Sequence, residues 1–148
     1  FSGNGRMEQP LVDLMASVDA AIYVIDCLPN MNGAEVAART EPLVHTLRKA
    51  RPQTPILLVE DRSYSNAFLV KSARDRNLQN RQALQAAYQK LIAAGVKQLY
   101  YLPGDQLLGK DNLGTVDGSH PTDLGFMRMA DAFEPLLKKI LVESRSNP

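Results

Sequence analysis

The sequence predicts an α/β domain, a parallel sheet held between helical layers as a three-layer α/β/α sandwich. Two observations carry this. Three short segments are almost continuously apolar and rich in branched residues, the pattern of strands covered on both faces. Segments with helical apolar spacing alternate with them, and strands joined through single helices imply parallel crossovers.

Taken in order, Met7 to Ser17 reads as a helix, with Leu11, Leu14, Met15 and Val18 at helical spacing. Ala20 to Leu28 is the first strand. Gly33 to Ala50 is a second helix, carrying Val36, Ala37, Thr40, Leu43, Val44 and Leu47. Pro42 inside it is expected to kink it, because proline removes one donor and clashes with the preceding turn. Pro55 to Val59 is the second strand, followed by a long loop, Asp61 to Asn77. Leu78 to Ala94 is a helix stopped by Gly95. Lys97 to Leu102 is the third strand, closed by Pro103-Gly104. Pro121 to Val142 is the last helix, with Pro121 at its first position, where a missing donor does no harm. Residues 1–143 read as one domain and 144–148 as a frayed tail.

A length of 148 residues suits one domain with a real core. Lys and Arg number 17 against 16 Asp and Glu, and a net charge of +1 gives no global field to attract nucleic acid. No apolar run approaches the roughly 18 residues of a membrane span. The single Cys27 forms no internal disulfide and leaves the compartment undecided. Two distant histidines and one cysteine offer no recognisable ligand spacing, so neither metal nor cofactor is predicted.

Ligands of open α/β sheets bind beyond the carboxyl ends of the strands. That rule selects the loops at residues 2–6, 29–33, 60–77 and 103–120. In the last, Asp117 lies three residues before His120. This spacing lets a carboxylate fold back on one imidazole nitrogen and leaves the other to act as a general base. It also suits a turn in which both residues only cap backbone donors. His45, inside a helical run, reads as a solvated helix-face histidine. Asn30, after the first strand, could donate to an oxyanion or simply build a turn. The glycines of Ser2-Gly3-Asn4-Gly5 could turn backbone N–H groups toward an anion. Arg62, after the second strand, should stand at the cleft rim, to contact a polar substrate or to form a structural ion pair.

Together, Ser2-Gly3-Asn4-Gly5, then Asn30, then Asp117-Gly118-Ser119-His120-Pro121 resemble the SGNH (GDSL-like) serine hydrolase family. The string Ile25-Asp26-Cys27-Leu28-Pro29-Asn30-Met31 is similar to a bacterial branch of GDSL-like lipases and acylhydrolases, although Pro29 and Met31 depart from the family's Gly-x-Asn-Asp block. The resemblance implies a flavodoxin-like sheet and a carboxyl-ester hydrolase acting on a small-molecule or carbohydrate ester. It implies Asp117 and His120 as two members of a catalytic triad, and Gly3 and Asn30 as oxyanion donors.

The family's nucleophile block has no counterpart. Ser2 is the best internal substitute, but Asn4 stands where a nucleophile elbow has a glycine two residues on. The expectation is that a strand, the nucleophile serine, a helix and a second strand precede Phe1. On that view these residues alone are silent, and the first strand exposes an apolar edge that invites self-association or docking of the missing segment. The competing reading is a non-catalytic, flavodoxin-like binding or interaction module.

Overall fold

A computed structural model of the chain describes residues 5–146. Its three strands are β1 (Tyr23–Ile25), β2 (Ile56–Val59) and β3 (Leu99–Leu102), in the order β1-β2-β3. All pairings are parallel, with Tyr23 opposite Ile56 and Ile56 opposite Leu99. Four helices, α1 (Gln9–Ser17), α2 (Gly33–Ala50), α3 (Lys71–Ala93) and α4 (Asp123–Ser146), complete the α/β fold.

The period-two alternation of the strands sorts the core into two layers. Ile56, Leu58 and Leu99 point to one side, where they pack with Val36, Val44, Leu84 and Leu91 of α2 and α3 and with Val12 of α1. Leu57, Val59 and Leu102 point to the other side, against Ile140, Leu137 and Phe133 of α4. All four residues of β2 are fully buried. Each such side chain contributes about 1.5–3 kcal/mol of burial, so this central strand anchors the sandwich. Among the described residues β1 has β2 as its one strand neighbour, and Val24 on it is 39% exposed.

The elements differ most from the sequence reading in four places. β1 is shorter than Ala20–Leu28, because the chain turns out of the sheet and makes a 3-10 turn at Leu28–Asn30. α2 runs unbroken through Pro42, which stands exposed, so the carbonyl it leaves unpaired can meet water. α3 begins at Lys71 rather than Leu78, shortening the preceding loop by a helical segment. α4 begins two residues after Pro121, which instead bridges Thr115 ahead of the helix, and the helix continues to Ser146, into the segment read as a tail. Leu124 and Met127 stand on its exposed side.

Because the strands are parallel, the segments after β1, β2 and β3 leave from the same end of the sheet. Gly104 marks how closely two of them approach. A Cβ there would lie 2.2 Å from the Asp61 carbonyl oxygen, so a larger residue would push the loops after β2 and β3 apart.

Candidate active site

The last of these loops holds the Asp117–His120 pair. Val116 N–H donates to the His120 carbonyl (2.8 Å), closing a small bridge that brings the loop back on itself before α4. Gly118 turns the chain with φ +96°, a conformation that suits glycine, and a Cβ there would lie 2.5 Å from the Asn66 side chain. Within the turn one carboxylate does two jobs. Asp117 Oδ1 accepts from the backbone N–H groups of Ser119 (3.0 Å) and His120 (2.9 Å). Its Oδ2 lies 2.7 Å from His120 Nδ1. The capping geometry and the acid–imidazole geometry are therefore the same turn.

The backbone bond from His120, then the imidazole, then the backbone bond from Ser119 hold the Asp117 carboxyl well below the usual carboxylate range. It stays an anion, and a proton on Nδ1 would be donated to it, leaving Nε2 as the acceptor nitrogen of the neutral imidazole. Nε2 has no hydrogen-bond partner among the described residues, and the His120 side chain is 76% exposed.

The loop is fixed from β2's side. Arg62 Nε donates to the Ser119 carbonyl (2.6 Å) and its Nη2 to Ser119 Oγ (3.2 Å). Arg62 has two of its donors engaged on the residue next to His120 and forms no ion pair among the described residues. Ser65 N–H donates to the Gly118 carbonyl (3.0 Å), and the Ser65 and Thr115 hydroxyls are hydrogen-bonded.

Asn30 closes the 3-10 turn after β1. Leu28 and Met31 bury their side chains on either side of it and so pin the turn to the core. Asn80 Nδ2 lies 3.1 Å from the carbonyls of both Leu28 and Met31, and Arg76 donates to Met31 O (3.2 Å) and to Pro29 O. Below it, Asn32 and Glu35 form a capping box that starts α2, an arrangement contributing about 1 kcal/mol. The Asn30 amide makes no hydrogen bond among the described residues. Its Nδ2 lies 3.6 Å from where a Gly5 Cβ would be, so the end of the described chain runs beside it. Gly3 and Ser2 fall outside the described residues.

Two adjoining cavities connect these pieces. One, of about 320 Å³, is lined by Asp117, Gly118, Ser119, Tyr64 and Asn66. The other, of about 590 Å³, is lined by Asn30, Met31, Asn32, Arg6 and Gln79. Ser72 and Arg76 line both. Burial pushes the Cys27 thiol up to about 12, which makes it a poor nucleophile.

The supporting residues on α3 escaped the sequence reading. Its buried stripe is Asn77, Asn80, Leu84, Ala87 and Leu91. The spacing is that of one helix face, but two asparagines occupy its start and hide it from an apolar-periodicity test. Asn77 accepts from Tyr64 N–H (2.9 Å) and donates to Arg62 O (2.9 Å), and Arg81 donates to Asp61 O (2.9 Å) and Ser63 Oγ (2.7 Å). A single polar helix face thus holds the segments after β1 and β2, and through Arg62 the loop after β3.

The comparisons with known proteins agree with this architecture. The GDSL-like Lipase/Acylhydrolase family matches residues 1–138. A candidate GDSL-like lipase from Bacteroides ovatus is 38% identical and superposes with a TM-score of 0.90 over 94% of this chain and 41% of its own. The salicylyl-acyltransferase SsfX3 from a tetracycline biosynthetic pathway shares the fold, with a TM-score of 0.76 at 16% identity over 92% of this chain and 42% of its own. The chain therefore spans about two-fifths of the length of each. No curated protein matches it. With a parallel sheet, an Asp-x-x-His turn and a match over nearly its whole length, the chain belongs to the GDSL-like lipase/acylhydrolase family.

Proposed function

We propose that the chain forms the acid–base and oxyanion part of a serine carboxyl-ester hydrolase. The observation that carries this is the 2.7 Å contact between Asp117 Oδ2 and His120 Nδ1, made by a carboxylate kept anionic while Nε2 remains free. In this reading a serine from a block preceding Phe1 attacks the acyl carbon, and His120 Nε2 takes its proton. Asp117 holds the imidazole tautomer and stabilises the imidazolium. His120 then returns the proton to the leaving alcohol. Water, activated by the same imidazole, releases the acid.

The negative charge of the tetrahedral intermediate needs fixed donors where the oxyanion forms. The Asn30 amide, without a partner among the described residues and held by the buried Leu28 and Met31, is suited to this. Gly3 N–H is its assigned companion. Arg62 is better cast as a positioning residue, since its bonds to Ser119 fix the backbone that carries His120. No serine hydroxyl among the described residues is hydrogen-bonded to Nε2, and those of Ser119, Ser63 and Ser65 are engaged by Arg62, Arg81 and Thr115. The substrate in this reading is a small-molecule or carbohydrate ester.

The test is hydrolysis of 4-nitrophenyl acetate by the full protein and its His120→Ala variant. Loss of about 10⁴-fold in kcat is expected for removal of a triad base. Undiminished turnover in the variant would overturn the assignment.

A further inference from the structure

We infer that the cavity beside Asn30 takes a carboxylate-bearing part of the ester, recognised by Arg76 together with Arg6. The inference rests on the hydrolase reading and adds the substrate class to it. Of the residues lining this cavity only Met31 is apolar; the others are charged or amide- and hydroxyl-bearing. A fatty acyl chain here would strip water from groups that gain no partner in return, which disfavours it.

The charges are not evenly matched. Both carboxylates of the lining are engaged: Glu35 accepts from Asn32 and pairs with Arg39, and Asp75 pairs with Lys71. Neither arginine forms an ion pair among the described residues, although Glu8 lies within electrostatic reach of Arg6 and Asp61 of Arg76. Arg76 uses Nε and Nη2 on the carbonyls of Met31 and Pro29, so Nη1 has no partner among the described residues. The Arg6 side chain makes no hydrogen bond or ion pair among them, its backbone alone being bonded to Glu8 and Arg39. Arg76 also lines the cavity containing Asp117 and Ser119. A guanidinium with one free edge, held in place by two bonds, therefore stands between the oxyanion donor and the acid–base pair. It is suited to a carboxylate on the ester whose carbonyl reacts beside it.

The test compares charged and neutral esters of matched length on the full protein. Monomethyl succinate against methyl butanoate places the charge in the acyl part, and acetoxyacetate against ethyl acetate places it in the alcohol part. The expected result is a preference in kcat/KM for the charged member of one pair. Raising salt to about 0.5 M should weaken that preference, chiefly through KM, and leave the neutral ester unaffected. Arg76→Gln and Arg6→Gln should each reduce the charged-to-neutral ratio about tenfold. The Arg6 side chain is exposed and makes no hydrogen bond or ion pair among the described residues, so its variant separates recognition from stability. Hydrolysis of neutral esters with equal or greater efficiency, unchanged by salt, would overturn this inference alone. Hydrolysis of none would overturn the hydrolase reading and this inference with it.

Discussion

The two ends of the sheet use the same chemical groups to opposite effect. At the amino end, both terminal nitrogens of Arg48 are engaged, and only its buried Nε lacks a partner among the described residues. Its Nη1 donates to the carbonyls of Arg51, Pro52 and Thr54, and its Nη2 to those of Lys97 and Gln98 (2.8–3.3 Å). One guanidinium thereby closes the turn after α2 onto the segment entering β3. At the carboxyl end, Arg76 keeps one nitrogen free, Asn30 keeps its amide, and His120 keeps Nε2. The end that only joins elements spends the terminal nitrogens of its arginine on backbone carbonyls. The other leaves donors of Asn30 and Arg76 lining open cavities and an exposed acceptor on His120. This contrast distinguishes a structural arginine from one available to a substrate, which residue type alone does not.

The largest effect expected at the carboxyl end is that of Asp117→Asn. The amide oxygen can keep the two backbone caps, but the group facing Nδ1 no longer fixes the imidazole tautomer. Ester hydrolysis should fall about 10⁴-fold while the melting temperature stays close to that of the parent. A similar fall in stability would mean that the pair only builds the turn. Asn30→Ala should come next, costing about 10²–10³ in kcat with little change in KM, as for loss of one oxyanion donor. A loss confined to KM would instead make Asn30 a ground-state contact.

Arg48→Ala breaks the comparison from the other end. It removes charge-assisted bonds worth about 1.5–3 kcal/mol each when buried, and denaturant unfolding should show a loss of about 3 kcal/mol. Turnover per folded molecule should be unchanged; a selective loss of kcat would show that the amino end is coupled to the site.

The smallest effect expected is at Asp61, fully buried beyond β2. Burial raises its carboxyl above the usual range, and the bond from Asn80 (3.1 Å) only partly opposes this. Its other oxygen, Oδ1, has no partner. A carboxyl raised in the folded state adds stability below its unfolded value and loses it as pH rises through the folded one. Asp61→Asn should therefore stabilise the protein at neutral pH, and the gain should shrink as pH falls toward the acid range. Thermal melts across that range check the sign; a variant less stable at neutral pH than at acid pH, relative to the parent, would reverse it.

What the sequence revealed depended on how local each feature is. Asp117 and His120 are three residues apart, so a single turn brings them together and their spacing suffices. Asn30 follows directly after a strand, so the rule placing ligands at strand ends reaches it. The sheet was legible because β2 and its neighbours are apolar on both faces. The fixing of the site was not legible, because it is made by polar residues far away in sequence. Asn80 reaches the turn at Leu28–Asn30 across about fifty positions, and Arg62 reaches Ser119 across a similar gap. A buried asparagine on a helix face looks like a surface residue until the carbonyls it bonds are in place. The start of α3 was lost for that reason.

The account stands most directly on one measurement, the rate at which a fluorophosphonate modifies the full protein and its His120→Ala variant, with the adduct located by mass spectrometry. A single modified serine outside the described residues is expected, with a labelling rate that falls about 10³-fold or more without His120. Labelling at the same rate in the variant, or no serine adduct on a protein that hydrolyses esters, would contradict it.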